Sequence, residues 1–575
     1  VNKIYRLIWN SALNTWVVAS EAAKAHGKNG SRSRMAKLVM ASTLLLPALA
    51  PDSVLAQWNN AGSSATGSGA VAAGGGTTGT AASATTSESV AIGDGATATS
   101  RKSGSDTGVG ATAIGHGAQA TTTYGGGPVA IGTSAKAIVS AGNGGSPVAI
   151  GTSSDASGNG SQVAIGDQAK ANGTDAIAIG GHAGSAGSLA TGNSSTAIGQ
   201  AASATGTGSV ALGYLVKSSG QGSVAIGGDG TVGSTASGTG AFAVGSGASA
   251  LADSTIALSA GSSATATGAI AIGSNANASA ANSMAIGLGA GAQGGDAVAA
   301  GHGANASTSQ TVALGAASTA QGGSFGPIAI GYGATAAQVN MTGAFAASIQ
   351  KGHIPGAAEF LPSTTYVAPT VTGNSDASTA VGYQAIASGG YSTALGHWAM
   401  ALQMGATALG EGTRANGVGA AAVGDDTVAD ADHALAVGYN TAALDQNATA
   451  VGFKSLASVN SATALGSSST ASAQSAVALG DTALASGTQT IAIGNNAKAT
   501  GKQSLSIGTG NVVSGNNSGA IGDPTTITGS GSYSLGNNNT IANNNSFVIG
   551  SGVTTTQDNS VVLGNASTDR PATTV

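Results

Sequence analysis

The chain has 575 residues, 95 of them glycine, with 3% aromatic and 7% charged side chains, no cysteine and a net charge of −5. So little aromatic material excludes an ordinary compact core, and the lack of cysteine excludes a disulfide framework, thiol catalysis and thiolate metal sites. The low charge and a mean hydropathy of +0.19 are equally unlike a solvated disordered tail, which leaves repetition as the source of stability.

Residues 1–56 read as an export leader. Arg32, Arg34 and Lys37 precede an apolar stretch, residues 38–50, that is too short to span a bilayer and right for a signal core. Val54, Leu55 and Ala56 then form a small-residue cleavage site, placing the cut between Ala56 and Gln57; a cut after Ala50 would leave Pro51 next, which is unfavourable. Ahead of the signal core, Asn2 to Asn10 and Trp16 to Glu21 lie in a stretch, about residues 2–28, that resembles the extended signal peptide region of Gram-negative autotransporters and large secreted adhesins. Removing the leader takes away seven basic and two acidic side chains and leaves eleven against twenty-one, a net charge of −10. That surface does not favour nucleic acid.

Residues 57–88 are Gly, Ala, Ser and Thr with hardly any apolar periodicity, so a flexible extension is expected there. From residue 89 the chain repeats. Gly382, Gly396 and Gly410 begin a period of fourteen that runs unbroken to Gly564; the same spacing runs through Gly245 and from Gly273 to Gly315, with Ser259 in one place and looser spacing before it. Of 30 such units, 29 have glycine at the anchor, 29 have Ile, Leu or Val just before it, and 26 have alanine two residues before it. A fixed period of this length means stacked coils.

Segments such as Val90-Ala91-Ile92-Gly93 and Ile491-Ala492-Ile493-Gly494 put β-branched residues at alternate positions, with alanine facing the other way. A second small-residue strand follows the glycine, as at Ala483 and Ala485, so one unit closes one coil of an all-β solenoid. The large apolar residues are expected to form a ladder down the interior. The alanine face needs a close neighbour: a symmetric partner subunit is the simplest candidate, and a cramped single-chain interior is the alternative.

The units Ser89 to Ala98 and Ala476 to Ala485 resemble YadA-like head repeats, a resemblance that covers about residues 88–567. It implies a left-handed parallel β-roll with one coil per repeat, assembled as a homotrimer, in the head of a trimeric autotransporter adhesin. The expected function is attachment to host matrix proteins or cell-surface receptors, with like heads on other cells as further partners. A purely structural or self-associating surface protein is the alternative, and a β-helical carbohydrate-active enzyme a more distant one.

The array is head repeats over 89–331, an insertion over 332–378, and head repeats of strict period over 379–567, with 568–575 resembling the approach to a neck. Between Gly331 and Gly382 lie 37 residues more than one coil needs, carrying Phe345, Lys351, His353, Phe360 and Tyr366 with Pro355, Pro362 and Pro369. Insertions in a solenoid project from one face, so these five side chains are the candidate ligand-binding set. No catalytic, cofactor or metal site is expected. Asp94, Asp167, Asp425, Asp481 and Asp523 are ordinary turn residues, and His116, His302 and His397 share a turn position on separated coils. Export to the cell surface is expected, with outer-membrane anchoring where the full-length protein carries the family's C-terminal barrel.

Overall fold

In this computed structural model the described residues are 5–10, 15–20, 58–59, 62–74, 80–101, 110–139, 144–181, 186–323, 326–337 and 376–570. The chain divides into two units, Val1–Val54 and Leu55–Val575. The first contains an antiparallel hairpin, Tyr5–Asn10 paired with Thr15–Ser20. Ala56 and Gln57 of the expected cleavage site lie outside the described residues.

The second unit is a parallel β-solenoid in which each repeat of the sequence makes one coil. The regular part shows how the sequence closes it. Val477–Leu479 is a three-residue strand, Gly480 opens a turn, Leu484–Ala485 is a second strand, and a second turn leads to Ile491–Ile493 one coil on. Each strand pairs in parallel with its equivalents above and below, and the register follows the repeat: Ala478 aligns with Ala464 and Ala492, Ala485 with Ala471 and Ala499. Two parallel sheets result. The first is built from the Val-Ala-Ile segments and the second from the short strands after the anchor glycine.

The interior is made of alanine. Ala478, Ala483, Ala485 and their equivalents are fully buried, whereas Leu479 keeps 37% of its surface exposed and Val477 is half-buried on the outer face. This reverses the expected arrangement: the Ile, Leu and Val ladder lies outside the roll, and the alanine face is covered by the chain's own second sheet and not by the expected partner subunit. A coil this short brings its two sheets so near that a methyl group fills the space, and larger side chains must take the other face of the strand.

The anchor glycine is fixed by two independent demands. At Gly480 φ is +134°, and an added Cβ would lie 2.5 Å from the carbonyl oxygen of Gly494 in the next coil. Each turn also contains a residue near φ +55°, such as Thr482 in the first and Gln489 in the second. The many Asn, Ser and Gly residues there are those that adopt this region with least strain.

Two regions depart from the simple reading. Residues 57–88, expected to be flexible, include strands Ser64–Ala65, Val71–Ala73 and Ser83–Ala84 that continue both sheets, with Ala70, Ala72, Ala82 and Ala84 fully buried. Ala73 replaces the usual Ile before the anchor Gly74, and because that column points outward its loss removes the sequence signal without emptying the core. In the last coils the interior changes composition. Val513, Ile527, Ile541 and Val548 form a second buried cluster, beside hydrogen bonds from Asn511 Nδ2 to the Gly522 carbonyl at 2.5 Å and from Asn539 Nδ2 to the Gly550 carbonyl at 2.7 Å.

The stack is continuous across the insertion. Ile328–Ile330 pairs directly with Thr379–Val381, and Thr335–Ala336 with Ile386–Ala387. The regular coil runs on to Ala337 and resumes at Asp376.

Candidate functional site

Two surfaces stand out on the roll. The first is the outer face of the first sheet, where an Ile, Leu or Val points away from the alanine interior in nearly every coil, joined at the first outward position by a second apolar side chain in some coils and by Thr in others. Ile92, Ile198, Leu395, Leu465 and Ile549 are each about 40% exposed, and the same column is occupied in nearly every coil between them. In-register pairing stacks these side chains into one stripe, as for Leu465, Leu479 and Ile493. The outer face of the second sheet carries Ser249, Asn277, Thr319 and Lys498 at the corresponding place. A monomeric soluble protein rarely exposes a contiguous apolar patch beyond a few hundred Å², so this stripe has the character of an assembly face.

The second surface is a turn edge near the insertion. The residue after each anchor glycine points outward there, and in successive coils this column reads Tyr332, Tyr383, His397, Glu411, Asp425, Tyr439 and Phe453. Tyr332 and Tyr383 stack at 5.3 Å between ring centres, and His397 lies 5.1 Å from Tyr383 and 3.9 Å from Trp398. Trp398 Nε1 donates to Gln384 Oε1 at 2.5 Å, and His397 Nδ1 is 3.1 Å from Glu411 Oε1. Further along, Tyr439 stacks on Phe453 at 5.6 Å, with the Lys454 ammonium 5.6 Å from the Phe453 ring centre. The rings are held one coil apart by the strands beneath them.

Between the two aromatic groups the edge is acidic. Burial, with Asp425 and Glu411 nearby, pushes the Asp426 carboxyl up to about 6. The turns after Gly424 and Gly438 share a variation: the strands continue to Asp425 and Tyr439, and Thr427 Oγ1 donates to the Gly438 carbonyl at 2.7 Å as Thr441 Oγ1 does to the Gly452 carbonyl.

Of the residues singled out in the sequence, Phe345, Lys351, His353, Phe360 and Tyr366 lie outside the described residues. His116, His302 and His397 occupy the same turn column on separate coils, and His397 packs among aromatic rings. Asp481 accepts from Asn495 Nδ2 at 3.1 Å, and Asp523 accepts from the Thr509 backbone N–H. These carboxylates tie one coil's turn to the next. The aromatic edge escaped the sequence reading because its members are widely spaced along the chain; counting the column after each anchor would have revealed it.

The extended signal peptide of the type V secretion system matches residues 2–50. The YadA head domain repeat matches thirteen segments between residues 107 and 523, with residues 374–441 matched continuously. The autotransporter adhesin NhhA of Neisseria meningitidis serogroup B is 53% identical over 45 residues. That stretch is 8% of this chain and 7% of the relative, so the likeness is local.

Proposed function

The chain belongs to the trimeric autotransporter adhesins with a YadA-like head, and on that premise we propose that three copies join through the apolar face of the first sheet to form a rod that attaches bacteria to host surfaces. The observation that carries this reading is the unpaired apolar stripe from Ile92 to Ile549, which a single chain leaves open along the coils. Closing three such stripes on a common axis would bury them together and leave the polar second sheets and the turn edges outward.

Membership of the family supports attachment to host matrix proteins or cell-surface receptors as the role of this rod, with contact between like heads on other cells as a further proposed role. Phe345, Lys351, His353, Phe360 and Tyr366 of the insertion are proposed to recognise the ligand. The exposed Tyr332, Tyr383, Tyr391, Tyr439 and Phe453 on the flanking coils support placing recognition in this part of the rod. Three copies per rod would multiply a weak single contact. The extended signal peptide supports export to the cell surface, and retention in the outer membrane is proposed for the full-length protein. As an adhesin the chain is a non-enzymatic surface protein.

The test is binding of the purified head to host cells and to a panel of matrix proteins, with light scattering of head-coated beads as the readout for self-association. Saturable host binding supports attachment. Bead clustering without host binding would move the protein to a purely self-associating role.

A further inference from the structure

The column of residues that follows the anchor glycines repeats its own residue types in reverse order about Glu411. Its members from Tyr332 to Phe453 lie on successive coils, because Ile328–Ile330 pairs directly with Thr379–Val381. One coil either way from Glu411 gives His397 and Asp425, a second gives Tyr383 and Tyr439, and a third gives Tyr332 and Phe453. The order continues outside the aromatic groups, with Ala316 set against Ser467 and then His302 against Asp481. Rings are thus matched by rings, the small residue by a small one, and both histidines by carboxylates.

These side chains face outward. The four rings keep between 44% and 53% of their surface exposed, and His302, Glu411, Asp425 and Asp481 are exposed as well. Tyr332 stacks on Tyr383 and Tyr439 on Phe453, each pair spanning neighbouring coils, so the pairs turn their ring edges outward and not their faces. That orientation suits interlocking with other rings better than capture of a sugar or a cation on a ring face.

We propose that this edge is a self-complementary contact through which chains of two different rods pair antiparallel, about a two-fold axis at Glu411. The proposal rests on the contact between like heads put forward above and names the surface that makes it. A two-fold contact requires that each residue meet its counterpart in both directions, and the column meets that condition. His397 faces Asp425 of the second copy while Asp425 faces the second copy's His397, and the ring pairs close on each other beyond them. The parallel alternative would set Asp425 on Asp425 and Asp481 on Asp481, and like charges placed so repel. At the axis the two Glu411 carboxylates meet, each with its own chain's His397 Nδ1 at 3.1 Å from Oε1 to disperse its charge. From Tyr332 to Phe453 the edge is about 29 Å long at the usual strand spacing, a weak contact alone that many rods would multiply. Facing cells supply the antiparallel arrangement, since rods projecting from opposed surfaces point in opposite directions.

Clustering of beads coated with the purified chain, followed by light scattering, reads this contact because facing beads oppose their rods. His397→Asp sets a carboxylate against Asp425 of the second copy and should lower clustering at least about tenfold. Adding Asp425→His exchanges the members of each pair and should restore clustering of the double variant with itself, while its beads should fail to join beads of the unaltered chain. The lack of cysteine allows a second reading. When separately purified Tyr383→Cys and Tyr439→Cys chains are mixed and oxidised, disulfides between positions 383 and 439 should outnumber those between two copies of position 383. A double variant that clusters no better than His397→Asp, or a predominance of links between two copies of position 383, would overturn the proposal. Clustering that survives His397→Asp overturns this edge alone and leaves contact between like heads to another surface. An unaltered chain that attaches to host cells without clustering overturns both the edge and contact between like heads, and leaves attachment standing.

Discussion

Ala478 and Leu479 are consecutive residues of one strand, yet the first is fully buried inside the roll and the second keeps 37% of its surface exposed on the outside. This inversion of the usual relation between size and burial separates two functions of the repeat. The small residue closes the coil, and the large one is available for assembly.

Interior and exterior substitutions should therefore fail differently. Ala478→Leu and Ala492→Leu force a larger side chain between the sheets and are expected to cost about 1–3 kcal/mol each, whereas Lys498→Ala should stay within about 0.5 kcal/mol. Thermal melts followed by circular dichroism measure this. Equal melting temperatures for all three variants would show that the alanine interior has room to spare.

Gly480→Ala should be as damaging as an interior leucine although it adds one methyl group. The added carbon would meet the Gly494 carbonyl oxygen at 2.5 Å with φ at +134°, and strain of this kind costs on the order of 1–3 kcal/mol. Gly510→Asn, at φ +68° in a region Asn adopts readily, serves as the control and should leave the melt nearly unchanged.

Asp426 makes stability depend on pH in a defined direction. Its folded value of about 6 lies above the ordinary 3.8, so the folded state favours the protonated carboxyl. Its contribution is complete below about pH 4 and is lost as pH rises through about 6, leaving ionisation as a cost at neutral pH. Asp426→Asn should stabilise the roll at pH 7 by about 1 kcal/mol, less than the full shift implies because the turn edge lies close to solvent, and by little at pH 3.5. Denaturant melts at the two pH values check this, and a larger gain at the lower pH would contradict the sign.

Recognition by the insertion is tested without disturbing the roll. Replacing 338–375 by one glycine should keep β content, since the flanking strands already pair with each other and solenoid stability is local. Attachment to cells should be lost, and Phe345, Phe360 and Tyr366 changed together to Ser should approach the same loss, because aromatic anchors dominate interface energies. Unchanged attachment would move recognition onto the coils and the aromatic edge that begins at Tyr332.

The coil, its period and its two strands were legible in the sequence because glycine and alanine recur where backbone and interior tolerate nothing else. Which face was interior was not legible from pattern alone. Alternation at Val90, Ala91 and Ile92 is the same whichever side is buried, and the usual preference for burying large residues pointed the wrong way. The early coils were hidden for a related reason: Ala73 lacks the outward Ile that makes the repeat visible. The aromatic edge was readable only by column.

The account centres on the outer face of the first sheet as the surface that joins three copies. Sedimentation equilibrium of the purified head, compared with a variant carrying Leu465→Asp, Leu479→Asp and Ile493→Asp, tests this most directly. These side chains stack in one stripe and make no part of the alanine interior, so the roll of the variant should keep its circular dichroism spectrum. The expected result is a trimer for the unaltered head and a folded monomer for the variant; an unaltered head that sediments as a monomer, or a variant that remains trimeric, would contradict it.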